Sequence, residues 1–160
     1  MVTPEYNDAI DSILVPTDGS DAARAALARA IAIAEPLECS VHVLAVVDTS
    51  AAPRRFNVEF VDELEREKGR IVDEIVASVD DSDVDVTGTV RRGRPADEIL
   101  AYADEIDTDV IAIGRTGRSG VEELLLGSTT DRVVRAASVP VLVVPSTPAT
   151  NDDTGRLDEI

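Results

Sequence analysis

Ser12-Ile13-Leu14-Val15-Pro16-Thr17-Asp18-Gly19-Ser20-Asp21 is a short apolar run that breaks at a polar turn and leads at once into an alanine-rich segment. The run is too short for a helix and almost wholly apolar, which predicts a strand, Ser12–Pro16, covered on both faces. Ser20-Asp21 is a helix cap, and the segment from Ser20 to Glu35 reads as a helix that stops before Pro36. Strand, tight turn and helix in that order are the first half of a βαβ unit.

Working outward, the same alternation repeats. Further strands are expected at Ser40–Val47, Val84–Val90, Val110–Gly114 and Val139–Val144. A long helix is expected from Asn57 to Val79, where Val61, Leu64, Ile71, Ile75 and Val79 fall at helical period and Lys68 interrupts the stripe. Two shorter helices follow, from Pro95 toward Ile106 and from Ser128 to Ala137. Five strands and four helices in strict alternation predict an α/β fold with a parallel sheet. We expect one domain over 10–146, a frayed start over 1–9 and a polar, disordered tail over 147–160. The aperiodic stretch 48–56 is long for a strand-to-helix loop and reads as a flap.

Composition removes several classes of function. The 160 residues carry 32 acids against 15 bases, a formal charge of −17, which repels nucleic-acid phosphates and anionic lipid heads. Neither nucleic acid nor membrane is an expected partner, and no apolar run reaches the roughly 18 residues of a membrane span. With no secretory leader at Met1-Val2-Thr3-Pro4, we expect a cytoplasmic chain. One cysteine, Cys39, and one histidine, His42, cannot build a disulfide framework or a zinc site. Lys68 is the sole lysine, and acids are spread along the whole chain, a pattern we read as adaptation to high salt.

In an open parallel sheet, ligands sit beyond the carboxyl ends of the strands. Two such ends carry chemistry. After the first strand, Pro16-Thr17-Asp18-Gly19-Ser20 puts a carboxylate and two hydroxyls on one turn. After the fourth come Gly114-Arg115-Thr116-Gly117-Arg118-Ser119-Gly120 and then Gly127-Ser128-Thr129-Thr130. Glycines let backbone N–H groups approach an anion, and a hydroxyl-rich helix start adds free N–H groups and a dipole. Two arginines and no acid lie between Ile111 and Val121, so an anion is expected there. Neither a dinucleotide fingerprint nor a Walker loop is present; taken alone, the glycines describe only a flexible loop.

These residues carry a resemblance. Gly114-x2-Gly117-x9-Gly127-Ser128 resembles the nucleotide-binding motif of the ATP-binding branch of the universal stress protein family, and Ile13–Ser20 resembles that family's opening strand and turn. Matching pieces at Val43–Asp48, Gly93–Ile99, Asp109–Gly114 and Val139–Pro145 extend the likeness over about residues 10 to 146. The resemblance implies an open five-stranded, Rossmann-like parallel sheet of order 3-2-1-4-5 with helices on both faces. It implies that Pro16, Thr17 and Asp18 lie at adenine and ribose, that Val46 touches adenine, and that Gly114, Gly117, Gly127, Ser128 and Thr129 hold ribose and phosphates. It further implies a homodimer paired through Val139–Val144. Arg115 and Arg118 lie at positions the motif leaves open, and local charge alone makes them candidate phosphate partners.

The equipment for turnover is thin. Asp18 is the only credible base, and Mg²⁺ would be held by the phosphates with the Ser128 or Thr129 hydroxyl. His42 lies inside a strand, away from the strand ends, and Cys39 reads as a small buried residue. The expectation is an ATP-binding regulatory or stress-response module. A slow ATPase or autophosphorylating enzyme, and a nucleotide-free protein scaffold, are the alternatives.

Overall fold

Alternate residues of the central strand serve two cores. The computed structural model describes residues 9–50, 58–80, 82–116 and 125–146, and the expected flap and frayed ends fall almost entirely outside them. The elements are β1 (Ser12–Thr17), α1 (Asp21–Leu37), β2 (Ser40–Asp48), α2 (Val58–Ser78), β3 (Val86–Gly93), α3 (Pro95–Glu105), β4 (Val110–Gly114), α4 (Ser128–Ala136) and β5 (Val141–Val144). All paired strands are parallel, in the order β3-β2-β1-β4-β5, as the resemblance implied. Ile13 and Val15 pack with Val41, Val43 and Ala112 against the alanine stripe of α1. Leu14 turns to the other face and joins Leu44, Ile111, Ile99 and Val133 under α3 and α4. Strands covered on both faces read as continuous apolar runs because both sets of alternate side chains are buried.

The alanines fix how close α1 can come. Ala22, Ala23, Ala26, Ala30 and Ala34 are all buried, and Gly114 at the end of β4 completes the contact. A Cβ at Gly114 would sit 2.8 Å from the carbonyl carbon of Ala22 and 2.9 Å from its Cβ.

Several boundaries differ from the sequence reading: β5 begins two residues later than expected, at Val141 after Pro140, and α1 and β3 differ more instructively. Helix α1 continues through Pro36 to Leu37 rather than stopping before the proline. In the last turn the missing N–H costs a single ladder bond, and the end is closed instead by left-handed Glu38, φ 55°, and by the Cys39 N–H donating to the Ala34 carbonyl at 3.0 Å. Strand β3 begins two residues later than expected and runs three further, to Gly93. Its ladder with β2 continues over Val46↔Arg91 and Val47↔Arg92. Two adjacent arginines argue against a strand by propensity, but on this edge strand each is held by a different layer. Arg91 donates to Glu98 at 2.8 Å and to Glu105 at 2.6 Å, both on α3, and its guanidinium lies 5.4 Å from the centre of the Tyr102 ring. Arg92 reaches the other way, to Asp62 at 2.7 Å and to Glu65, both on α2.

His42 and Cys39 are each held by neighbours within the fold. His42 sits on β2 with Thr87 Oγ1 2.9 Å from Nδ1 and Ser40 Oγ 3.4 Å from Nε2. Burial pushes its pKa below the usual value, against the opposing field of Asp85. Cys39 is buried, its thiol donates to the Ile10 carbonyl, and burial together with Asp11 and Asp109 pushes its pKa up, the reverse of an activated nucleophile.

Candidate functional site

The sheet opens where β1 leaves β4. Their register runs over Ile13↔Val110 and Leu14↔Ile111, whereas β4 stays paired with β5 as far as Gly114↔Val144. Pro16, two residues past Leu14, has no N–H to give to a ladder. Beyond this fork lies a crevice of about 280 Å³, just below the roughly 300 Å³ at which the size range of ligand pockets begins.

Its floor is apolar: Leu44 and Val46 from β2, Ile99 from α3 and Ile113 from β4. One polar wall is the turn between β1 and α1. Gly19 adopts φ 78° there, a conformation open to glycine at little steric cost. The turn braces itself, since the Thr17 Oγ1 accepts from Gly19 N at 3.2 Å and the Asp18 Oδ1 accepts from Ser20 N at 2.9 Å. Ser20 then caps α1 by accepting from Ala23 N at 3.2 Å. Thr17 and Asp18 are thus held at the edge of the crevice on a fixed backbone.

The second polar wall is the start of α4. Gly127 is its cap residue, with no side chain to satisfy the first-turn N–H groups, and Ser128, Thr129 and Thr130 all line the crevice. The Thr130 hydroxyl is spent inward, donating to the Gly114 carbonyl at 2.7 Å; this ties α4 to the end of β4. Gly127 N donates to the Arg115 carbonyl at 2.9 Å. That leaves the hydroxyls of Ser128 and Thr129 and the helix-end N–H groups, an anion-binding arrangement.

Of the residues singled out from the sequence, Pro16, Thr17, Asp18, Val46, Gly114, Gly127, Ser128 and Thr129 all line this one crevice. Gly117 and Arg118 lie outside the described residues. Arg115 is not among the lining residues; its Nε is buried and has no hydrogen-bond partner among the described residues. Three charged or polar liners escaped the sequence reading: Asp48 at the end of β2, Thr116, and Lys68 on α2. Lys68 left a trace in the sequence, as the break in an apolar helical stripe, but periodicity alone does not reveal what a break faces.

A family model described as the universal stress protein family matches residues 9–145. Universal stress protein MJ0531 of Methanocaldococcus jannaschii is 36% identical over 136 residues, covering 82% of this chain and 80% of the relative. Among solved structures, universal stress protein UspA from Lactobacillus plantarum superposes with a TM-score of 0.77 at 29% identity, over 86% of this chain and 99% of the other. A universal stress protein solved in complex with cAMP superposes with a TM-score of 0.68 at 25% identity, over 87% and 99%. With the fork between β1 and β4 and the crevice beyond it, these likenesses lead to one conclusion: the chain belongs to the universal stress protein family.

Proposed function

We propose that this chain is an ATP-binding regulatory or stress-response module of the family's nucleotide-binding branch. The observation that carries the reading is the single crevice joining an apolar floor to the unsatisfied start of α4. The floor of Leu44, Val46, Ile99 and Ile113 suits a purine, and the Thr17–Asp18 turn offers acceptors to a ribose. The Ser128 and Thr129 hydroxyls and helix-end N–H groups suit phosphate. Pro16 is assigned to the adenine and ribose end, Gly114, Gly117 and Gly127 to ribose and phosphates, and Arg115 and Arg118 remain assigned to the site by charge. The related protein in complex with cAMP supports an adenine nucleotide as ligand class.

Mg²⁺ is assigned to the ligand's phosphates with the Ser128 or Thr129 hydroxyl. Among the described residues no three His, Cys, Asp or Glu side chains gather in a metal-holding group. Binding without turnover is part of this reading, supported by Asp18, the one credible base, having its Oδ1 engaged by the Ser20 N–H.

A homodimer paired through Val139–Val144 completes the reading. Strand β5 ends the sheet, and Leu142 on it and Val134 on α4 are 37% and 42% exposed. No helix among the described residues is long and apolar enough to cross a membrane, and the charge of −17 fits a chain adapted to a concentrated-salt cytoplasm. One preparation tests the set. Purified in about 2 M KCl, where the Debye length falls to a few Å, the protein should carry or take up one ATP per chain by calorimetry. It should release that ATP intact and sediment as a dimer. It should also melt at a higher temperature than at about 0.1 M KCl. A folded chain that ignores every adenine nucleotide sinks the reading in favour of a scaffold; steady phosphate release abolished by Asp18→Ala replaces it with a slow ATPase.

A further inference from the structure

Helix α2 meets the sheet through one face. Val61, Leu64, Val72 and Ile75 are on its buried or half-buried side, at spacings of three, eight and three, the helical period of a single face. Lys68 occupies the same stripe between Leu64 and Val72 and is itself half-buried. An ammonium at a position that the helical period turns inward sacrifices solvation unless something anionic meets it.

Nothing described does so by direct pairing. The ion pairs among the described residues all use arginines, Arg24, Arg91, Arg92, Arg132 and Arg135, and none uses Lys68. In a chain with 32 acids, the one lysine is in no ion pair among the described residues, and it lines the crevice together with Asp18 and Asp48. One and two turns further along α2, Ile71 and Ile75 share a groove with Gly19, and Lys68 lines the crevice together with Thr17, Asp18 and Ser20 of the β1–α1 turn. Lys68 therefore enters from the α1/α2 layer, whereas Ser128 and Thr129 enter from the α3/α4 layer.

We propose that Lys68 is a ligand-contacting residue of the nucleotide site, closing on a phosphate oxygen from the face opposite the start of α4. This rests on the reading of the crevice as an adenine-nucleotide site. A compact ammonium on a flexible stem suits a phosphate as a point charge and needs no fixed geometry. Its contribution appears only with ligands that carry the contacted phosphate, so Lys68 separates nucleotides from nucleosides. The cost of the half-buried charge falls on the empty protein and is relieved on binding.

A sole lysine makes the test clean, because an amine-directed acylating reagent has only Lys68 and the α-amine of the chain to modify. Saturating ATP with Mg²⁺ should slow acetylation of Lys68 about tenfold while leaving the α-amine rate unchanged, read by peptide mass spectrometry. Lys68→Met, which keeps the stem in an apolar stripe and should fold at least as stably, should weaken ATP about tenfold and leave adenosine unchanged. Lys68→Arg should restore most of the ATP affinity. If the wild type binds ATP but Lys68 acylates equally fast with and without it, and Lys68→Met binds ATP as tightly as the wild type, the inference is overturned and the nucleotide reading survives. An equal loss for ATP and adenosine also overturns it. A wild type that binds neither removes both.

Discussion

Gly114→Val is expected to destabilise the protein by at least about 3 kcal/mol, lowering the melting temperature by about 6–12 °C. The first added atom already meets backbone: a Cβ there would lie 2.8 Å from the Ala22 carbonyl carbon and 3.0 Å from its oxygen. A helix backbone pinned by five buried alanines cannot swing aside as a surface side chain would. The two further methyls of valine deepen the clash. Gly114→Ala is the milder probe: the overpacking cost of about 1–3 kcal/mol is opposed by up to about 1 kcal/mol gained from a stiffer unfolded chain. The net sign is still destabilising. Adding Ala22→Gly removes the 2.9 Å contact but leaves the two backbone contacts, so the double variant should recover less than half of the loss. Denaturant titration reads all of these, and a Gly114→Ala protein as stable as the wild type would show that α1 can retreat.

The second large effect belongs to binding. Val46→Trp should reduce ATP affinity by about a hundredfold or more while changing the melting temperature by only a few degrees. Val46 is half-buried on β2 and its side chain is part of the crevice floor, so an indole has room to enter the space assigned to adenine without displacing the core beneath. Calorimetry beside a thermal melt separates the two effects. Unaltered affinity in a folded Val46→Trp protein would move the purine elsewhere. The pairing with Gly114 is instructive, since lost ATP binding in a Gly114 variant would report a broken fold, whereas in Val46→Trp it reports an occupied site.

Gly114 also shows what a sequence discloses and what it hides. Its place after an apolar strand and before further glycines suggested close approach to an anion, and it does line the crevice. The atoms that forbid a Cβ, however, belong to Ala22, a partner from α1 some ninety residues earlier that no local pattern announces. The strands β1 and β4 were legible because burial on both faces leaves an almost unbroken apolar run. Arg91 and Arg92 were not legible as strand, because the carboxylates that hold them, on α2 and α3, are gathered only by the fold. The site divides the same way. Turn and cap residues such as Asp18, Gly19 and Ser128 are local chemistry, read directly from strand ends. Lys68 and Asp48 join them only through tertiary placement.

The two margins of the sheet are unlike, and that asymmetry bears on how copies can add to one another. Along β3, Arg91 and Arg92 are drawn to opposite faces by carboxylates of α3 and α2, and a charged edge of this kind discourages a further strand. The margin at β5 presents Val141–Val144 with no comparable charge. A sheet with two receptive margins can extend without limit, copy upon copy. With only one, the homodimer proposed above would consume both receptive ends, so that growth would stop at a closed pair rather than a fibre.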